Sequence, residues 1–235
     1  TVTAAFVNGE ATRTATFVAG DVTNSINIGG SKNSKILAGA TNITNLVGGS
    51  APVLAQTRFR IYDQAGAANA ASTIIMCGEN TNCPTVSPGI VRARLKVTCD
   101  ATANCPATGF QMWFSEDGGA YAVLPDACGG SNHLCNCTVP NLVNGVATTR
   151  IMTTDQTTFV AGGILLDSST SPSVDLNASN ETEMEWVLCT DTGLTLNKTF
   201  DLRIRKSDGT VINTYSQTPR LTINSPIAYF TSGAK

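Results

Sequence analysis

Apolar and polar residues alternate with a period of two along most of the chain beyond residue 53, and no stretch shows helical periodicity. In Ile90-Val-Arg-Ala-Arg-Leu-Lys-Val97 the residues Val91, Ala93, Leu95 and Val97 share one face and Arg92, Arg94 and Lys96 the other. That is a half-buried strand with a basic outer face. Phe200-Asp-Leu-Arg-Ile-Arg205 repeats the pattern and runs through a Lys206-Ser-Asp-Gly209 turn toward Val211–Tyr215, a hairpin signal. Thr182-Glu-Met-Glu-Trp-Val-Leu188 turns Met184, Trp186 and Leu188 one way and Glu183 and Glu185 the other. This acidic face is expected beside a basic one, helping to fix register through opposite-charge pairs, with both faces solvated.

Thr57–Tyr62, with Arg58 and Arg60, and Phe110–Phe114, followed by a Ser115–Gly119 turn, add two further strands. Many short strands separated by turn clusters, with no helix between them, predict an all-β antiparallel sandwich, immunoglobulin-like or jelly-roll-like. Its expected extent is 53–225, preceded by an N-terminal β extension over 1–52 and followed by a tail over 226–235.

The extension opens on Thr1-Val-Thr-Ala-Ala-Phe-Val7, whose Val2, Ala4 and Phe6 form a small apolar face that needs cover. Ala11–Val18 reads as a second short strand, and Thr16-Phe-Val-Ala-Gly20 recurs as Thr158-Phe-Val-Ala-Gly162. A terminal strand either pairs within its own sheet or completes the sheet of a neighbour, where main-chain hydrogen bonds give affinity and alternate side chains give specificity.

Eight cysteines fall in a patterned order. Cys77–Cys83 and Cys99–Cys105 are the same device twice: cysteine, five turn-forming residues with Asn last, cysteine, proline. Each pair is expected to close its own loop. Cys135 and Cys137 flank a single residue, so one should close the Cys128 loop and the other reach Cys189; the favoured pairing is Cys128 with Cys135 and Cys137 with Cys189. Zinc competes for Cys128, His133, Cys135 and Cys137, but Cys-Asn-Cys lacks the usual ligand spacing. An even cysteine count points to an oxidising compartment, and a chain beginning at Thr1 reads as one that has lost a leader, so the expected location is secreted, extracellular or cell surface.

Composition removes several functions. Charged residues make up 14% of the 235 and the net charge is -2, which provides no footprint for nucleic acid. No apolar run approaches the roughly 18 residues of a spanning helix, so membrane insertion is not expected. The single His133, and the absence of nucleophile-elbow, phosphate-loop and zinc-protease motifs, argue against an enzyme, and no cofactor is expected.

In order along the chain, Gln56–Tyr62, Val91–Leu95, Phe110–Ser115, Ala147–Arg150, Thr182–Trp186, Asp201–Arg205 and Asn213–Thr222 resemble β-sandwich modules of large secreted bacterial surface proteins. The resemblance covers roughly 53–224 and implies extracellular placement and assembly; it carries over no catalytic residue. The N-terminal strand is similar to those of donor-strand filament subunits of archaea and bacteria, which implies a homopolymer. The expected function is therefore a structural filament or appendage subunit. The alternatives are a carbohydrate-binding or adhesion module, for which Trp113 is the candidate ligand-facing aromatic, and a virion or fibre component. Sequons at Asn42, Asn136, Asn177, Asn180 and Asn197 are candidate glycosylation sites, with Asn177 and Asn180 expected to be the most accessible.

Overall fold

The computed structural model describes residues 52–63, 67–69, 75–86, 89–100, 103–191 and 197–224. The donor-strand candidates Val2, Ala4 and Phe6, the sequon at Asn42 and the 226–235 tail lie outside them.

Fourteen strands and no helix make up the described residues. They are β1 (Leu54–Asp63), β2 (Ile75–Cys77), β3 (Cys83–Val86), β4 (Ile90–Cys99), β5 (Cys105–Thr108), β6 (Phe110–Glu116) and β7 (Ala122–Val123). Then follow β8 (Leu134–Asn136), β9 (Thr158–Leu165), β10 (Val174–Leu176), β11 (Asn180–Thr190), β12 (Lys198–Lys206), β13 (Thr214–Tyr215) and β14 (Arg220–Ile223). A seven-stranded sheet runs β13-β1-β4-β11-β8, with β2 also on β1 and β9 also on β11. A five-stranded sheet runs β3-β14-β12-β6-β7, and β5 pairs with β10.

Alternation settles how the two larger sheets meet. Phe59, Ile61, Ala93, Leu95, Val97, Met184, Trp186 and Leu188 from the first sheet share one buried cluster with Phe110, Met112, Phe114, Phe200, Leu202, Ile204, Leu221 and Ile223 from the second. Burying each of the larger side chains contributes on the order of 1.5–3 kcal/mol, so this layer is the main cohesive term. Polar ties cross it. Gln56, fully buried on β1, accepts from the Ile204 amide of β12 at 2.8 Å and donates to the Gln217 carbonyl at 2.6 Å. Tyr215 donates its hydroxyl to the Ile204 carbonyl at 2.7 Å.

The sandwich is not purely antiparallel: β1/β13, β9/β11 and β3/β14 are parallel pairs. The hairpin expected at 200–215 accordingly shrinks to a single bridge, Arg205 to Val211. Ile212 is drawn into the core and Asn213 accepts from the Leu54 amide at 2.9 Å, which hands the chain to the first sheet as β13. The turn after β6 does form. Asp117 and Gly118 both have positive φ and the Gly119 amide donates to the Glu116 carbonyl at 2.8 Å, the tight geometry that Asp-Gly favours in hairpins.

Candidate functional site

The register of β1, β4 and β11 sets rows of charge on the face of the first sheet opposite the core. Arg58 lies across from Lys96 and Lys96 from Glu183; Arg60 lies across from Arg94 and Arg94 from Glu185. Like charges facing each other across β1 and β4 would weaken that pairing, so carboxylates must reach them. Glu185 accepts from Arg92 Nε at 2.6 Å and from Arg94 Nε at 2.8 Å. Lys96 Nζ lies 3.1 Å from Glu181 and 3.8 Å from Glu183, and Arg150 Nε lies 2.9 Å from Glu181. Glu79 bridges Arg58 at 2.7 Å and Arg60 at 3.0 Å, while Asp155 takes the Arg58 Nε at 2.7 Å.

The acidic and basic faces are thus neighbours, as expected, but they are not solvated. Arg94, Lys96, Glu181, Glu183 and Glu185 are all 0% exposed. The cover is the main chain of 147–156. Amides of Ile151 and Met152 donate to Glu183, and amides of Asp155 and Gln156 donate to Glu181 at 2.8 and 2.9 Å. Carbonyls of Thr149 and Thr153 accept from Arg94 at 3.0 Å and Lys96 at 2.5 Å. Asn69 completes the seal, accepting from Arg94 and from the Thr149 amide. Desolvating an ion costs several kcal/mol, and only such a saturated set of short bonds offsets it. The ribbon is closed off by these main-chain bonds and nearly all of its charged groups are paired, which makes it a structural element.

Glu79 and Asp155 sit at its solvent margin. Burial pushes both carboxyls up, but hydrogen bonds from Thr153 and Arg58 to Glu79, and from Arg58 and Thr57 to Asp155, outweigh burial and hold both below their ordinary values of 4.5 and 3.8. Depressed folded-state values mean stability that is complete above the ordinary range and lost as pH falls through the folded values. The urea midpoint should therefore be flat from pH 7 down to 5 and fall below 4.5. A midpoint unchanged at pH 3 would contradict this coupling.

All eight cysteines are bonded: Cys77–Cys83, Cys99–Cys105, Cys128–Cys135 and Cys137–Cys189, the last across 52 residues. Cys128, Cys135 and Cys137 are therefore engaged with sulfur, and His133 Nδ1 lies 2.9 Å from Glu116. The Cys77–Cys83 loop does more than reinforce itself. It presents Glu79 to the two arginines of β1, and its Asn80 exchanges hydrogen bonds with the Phe59 backbone at 3.0 Å.

Two surfaces stand out among the described residues. The first is the edge of β9, which pairs with β11 on one side, while among the described residues its other side carries the Ala147–Gly163 bridge and its neighbours. Among the described residues no strand pairs with Thr158–Ala161 on that side. These four residues are uncharged, Thr158 and Ala161 are exposed, and Phe159 and Val160 are half-buried. At Gly162 the strand passes so close to β11 that a Cβ would collide with the Glu183 carbonyl oxygen. The register shifts there between Glu183 and Glu185.

The second is the outer face of the five-stranded sheet. Trp113 is half-buried there, donating Nε1–H to Gln111 at 2.9 Å and stacking with Arg205 at 3.9 Å, while Trp186 is fully buried and donates to the Ser169 carbonyl. Arg203 lies 4.4 Å from the Tyr121 ring centre and 4.8 Å from that of Tyr215.

The sequons divide by accessibility. Asn177 and Asn197 are exposed. Asn180 opens β11 and is only 7% exposed, so it does not share an accessible loop with Asn177, and Asn136, 2% exposed on β8, donates to Asp126. A glycan on either buried side chain would require that strand to open.

The fold and its surfaces define an all-β, disulfide-bonded sandwich. No protein-family model matches the chain, and no curated protein matches its sequence.

Proposed function

We propose that the protein is a structural subunit of an extracellular filament or surface appendage, in which the N-terminal segment of one copy adds as a strand to the sheet of the next. The carrying observation is the β9 edge. An uncharged edge strand without lysine or proline is a template for strand addition, and proteins that stay monomeric blunt such edges. Here the sequence of that edge, Thr158–Gly162, recurs as Thr16–Gly20 in the N-terminal segment. Identical segments stack best in parallel and in register, which would set Phe17 beside Phe159 and Val18 beside Val160. The apolar set Val2, Ala4 and Phe6 needs cover of the same kind. A head-to-tail contact that does not close on itself produces a filament. Four disulfides fit an oxidising, extracellular site of action.

Negative-stain microscopy and sedimentation of the full chain should show polymers. Deleting residues 1–8, or replacing exposed Ala161 with lysine, should lower the polymerised fraction by roughly tenfold, about 1.4 kcal/mol per contact. A parent chain that stays monomeric at high concentration would overturn the reading. Polymers indifferent to both changes would do the same.

A further inference from the structure

We propose that the outer face of the five-stranded sheet binds an acidic glycan, a polymer carrying uronate carboxylates, through Arg203 and Arg205. The charge pattern of the molecule singles these two out. Among the described residues Arg58, Arg60, Arg92, Arg94, Arg150 and Arg220 each lie within 4 Å of a carboxylate. No carboxylate of the described residues lies within that distance of Arg203 or Arg205. The nearby acids do not fill the role, because Asp201 is engaged by Arg220 at 2.6 and 2.7 Å and Asp208 caps the Thr210 amide at 2.8 Å.

Both guanidinium groups are held in place by rings. Arg205 stacks on Trp113, and Arg203 lies against Tyr121 and Tyr215. Each arginine is half-buried, and its Nε is buried without a hydrogen-bond partner. With rings against their faces, Arg203 offers its terminal N–H edge, and Arg205, whose Nη1 donates to the Gly209 carbonyl at 3.4 Å, offers its Nη2, both charge-assisted donors for a carboxylate. Stacking also fixes the long side chains beforehand, so little rotamer freedom remains to be lost on binding.

Arg203 and Arg205 are two residues apart on β12 and face the same way, so their anchors are separated by roughly 6.5–7 Å along the strand. That spacing suits a polymer with anionic groups at regular intervals. Trp113, Tyr121 and the exposed Val123 supply a flat, partly apolar floor for the ring faces of sugars. A nucleic acid is a poorer fit, since the chain carries a net charge of -2 and this face adds only a local excess of cations. The inference stands whether or not the protein polymerises.

The molecule contains its own reporter. Trp186 is fully buried, so a ligand-induced change in tryptophan fluorescence reads Trp113. Titrating the full chain with polygalacturonate should shift that emission and give saturable binding that weakens with added salt. Dextran should give no response, and polyglutamate of matched length should bind at least tenfold more weakly. Arg203→Gln/Arg205→Gln should lose at least tenfold in affinity. If that double variant does not fold, judged by its thermal transition, Arg205→Lys alone should show the loss, because it keeps the charge and forfeits the planar guanidinium that stacks on Trp113. Absence of polygalacturonate binding would overturn the proposal. So would equal binding of dextran or polyglutamate, or arginine variants that bind as the parent does.

Discussion

Glu183→Gln should destabilise the protein by about 3 kcal/mol, because it takes one of two carboxylates from each of Arg94 and Lys96, which keep Glu185 and Glu181, in a site that water does not reach. The same change unsettles the cover, since the amides of Ile151 and Met152 lose a charged acceptor. For a domain of this size that corresponds to a fall of about 6–12 °C in Tm. Arg220→Ala provides the contrast. Its partner Asp201 is on the surface and Arg220 itself is half-exposed, so the loss should stay within about 1 kcal/mol. Urea unfolding of both variants beside the parent decides the matter. A Glu183→Gln midpoint as close to the parent as that of Arg220→Ala would mean that the ribbon is hydrated in solution.

Removing the Cys137–Cys189 bond by replacing both residues with alanine should cost about 4 kcal/mol, whereas removing Cys99–Cys105 in the same way should cost about 2. The difference follows from loop length, 52 residues of separation against 6. In an unfolded chain the long crosslink forbids far more conformations. It also fixes β8 against β11 beside the paired positions Cys135 and Cys189, with Cys135 in turn bonded to Cys128. Equilibrium unfolding under non-reducing conditions measures both losses. Equal losses would show that the unfolded chain stays compact enough to make loop length irrelevant.

The inward faces of β1, β4, β6, β11 and β12 were legible in the sequence because a period of two admits only one assignment once one face must be apolar. The cysteine pairing was legible for a related reason: short loops between turn-forming residues leave few partners within reach. The fate of the opposite face was not legible. Arg92, Arg94, Lys96, Glu183 and Glu185 read as a solvated surface because charged residues normally are, and the segment that covers them has no apolar signature of its own. It seals the ribbon with backbone amides and carbonyls, which every residue possesses and which no side-chain pattern reveals.

Edges were equally hidden. Strand β9 carries the repeated Thr-Phe-Val-Ala-Gly motif, yet the motif does not announce a parallel partner in β11, nor that Gly162 is required by the approach of Glu183. The aromatic and guanidinium groups on the outer face of β12 come from positions 113, 121, 203, 205 and 215, which only the folded sheets bring together.

The place of Glu79 joins two properties that are usually separate. It lies inside the Cys77–Cys83 loop and supplies the counter-charge for Arg58 and Arg60. Oxidation of that loop is therefore also the step that finishes neutralising the sheet. In a newly made chain whose thiols are still free, Arg60 lies opposite Arg94 with its one carboxylate on an unclosed loop, while Arg58 keeps Asp155. Closing the Cys77–Cys83 loop thus settles where the counter-charge of Arg60 sits.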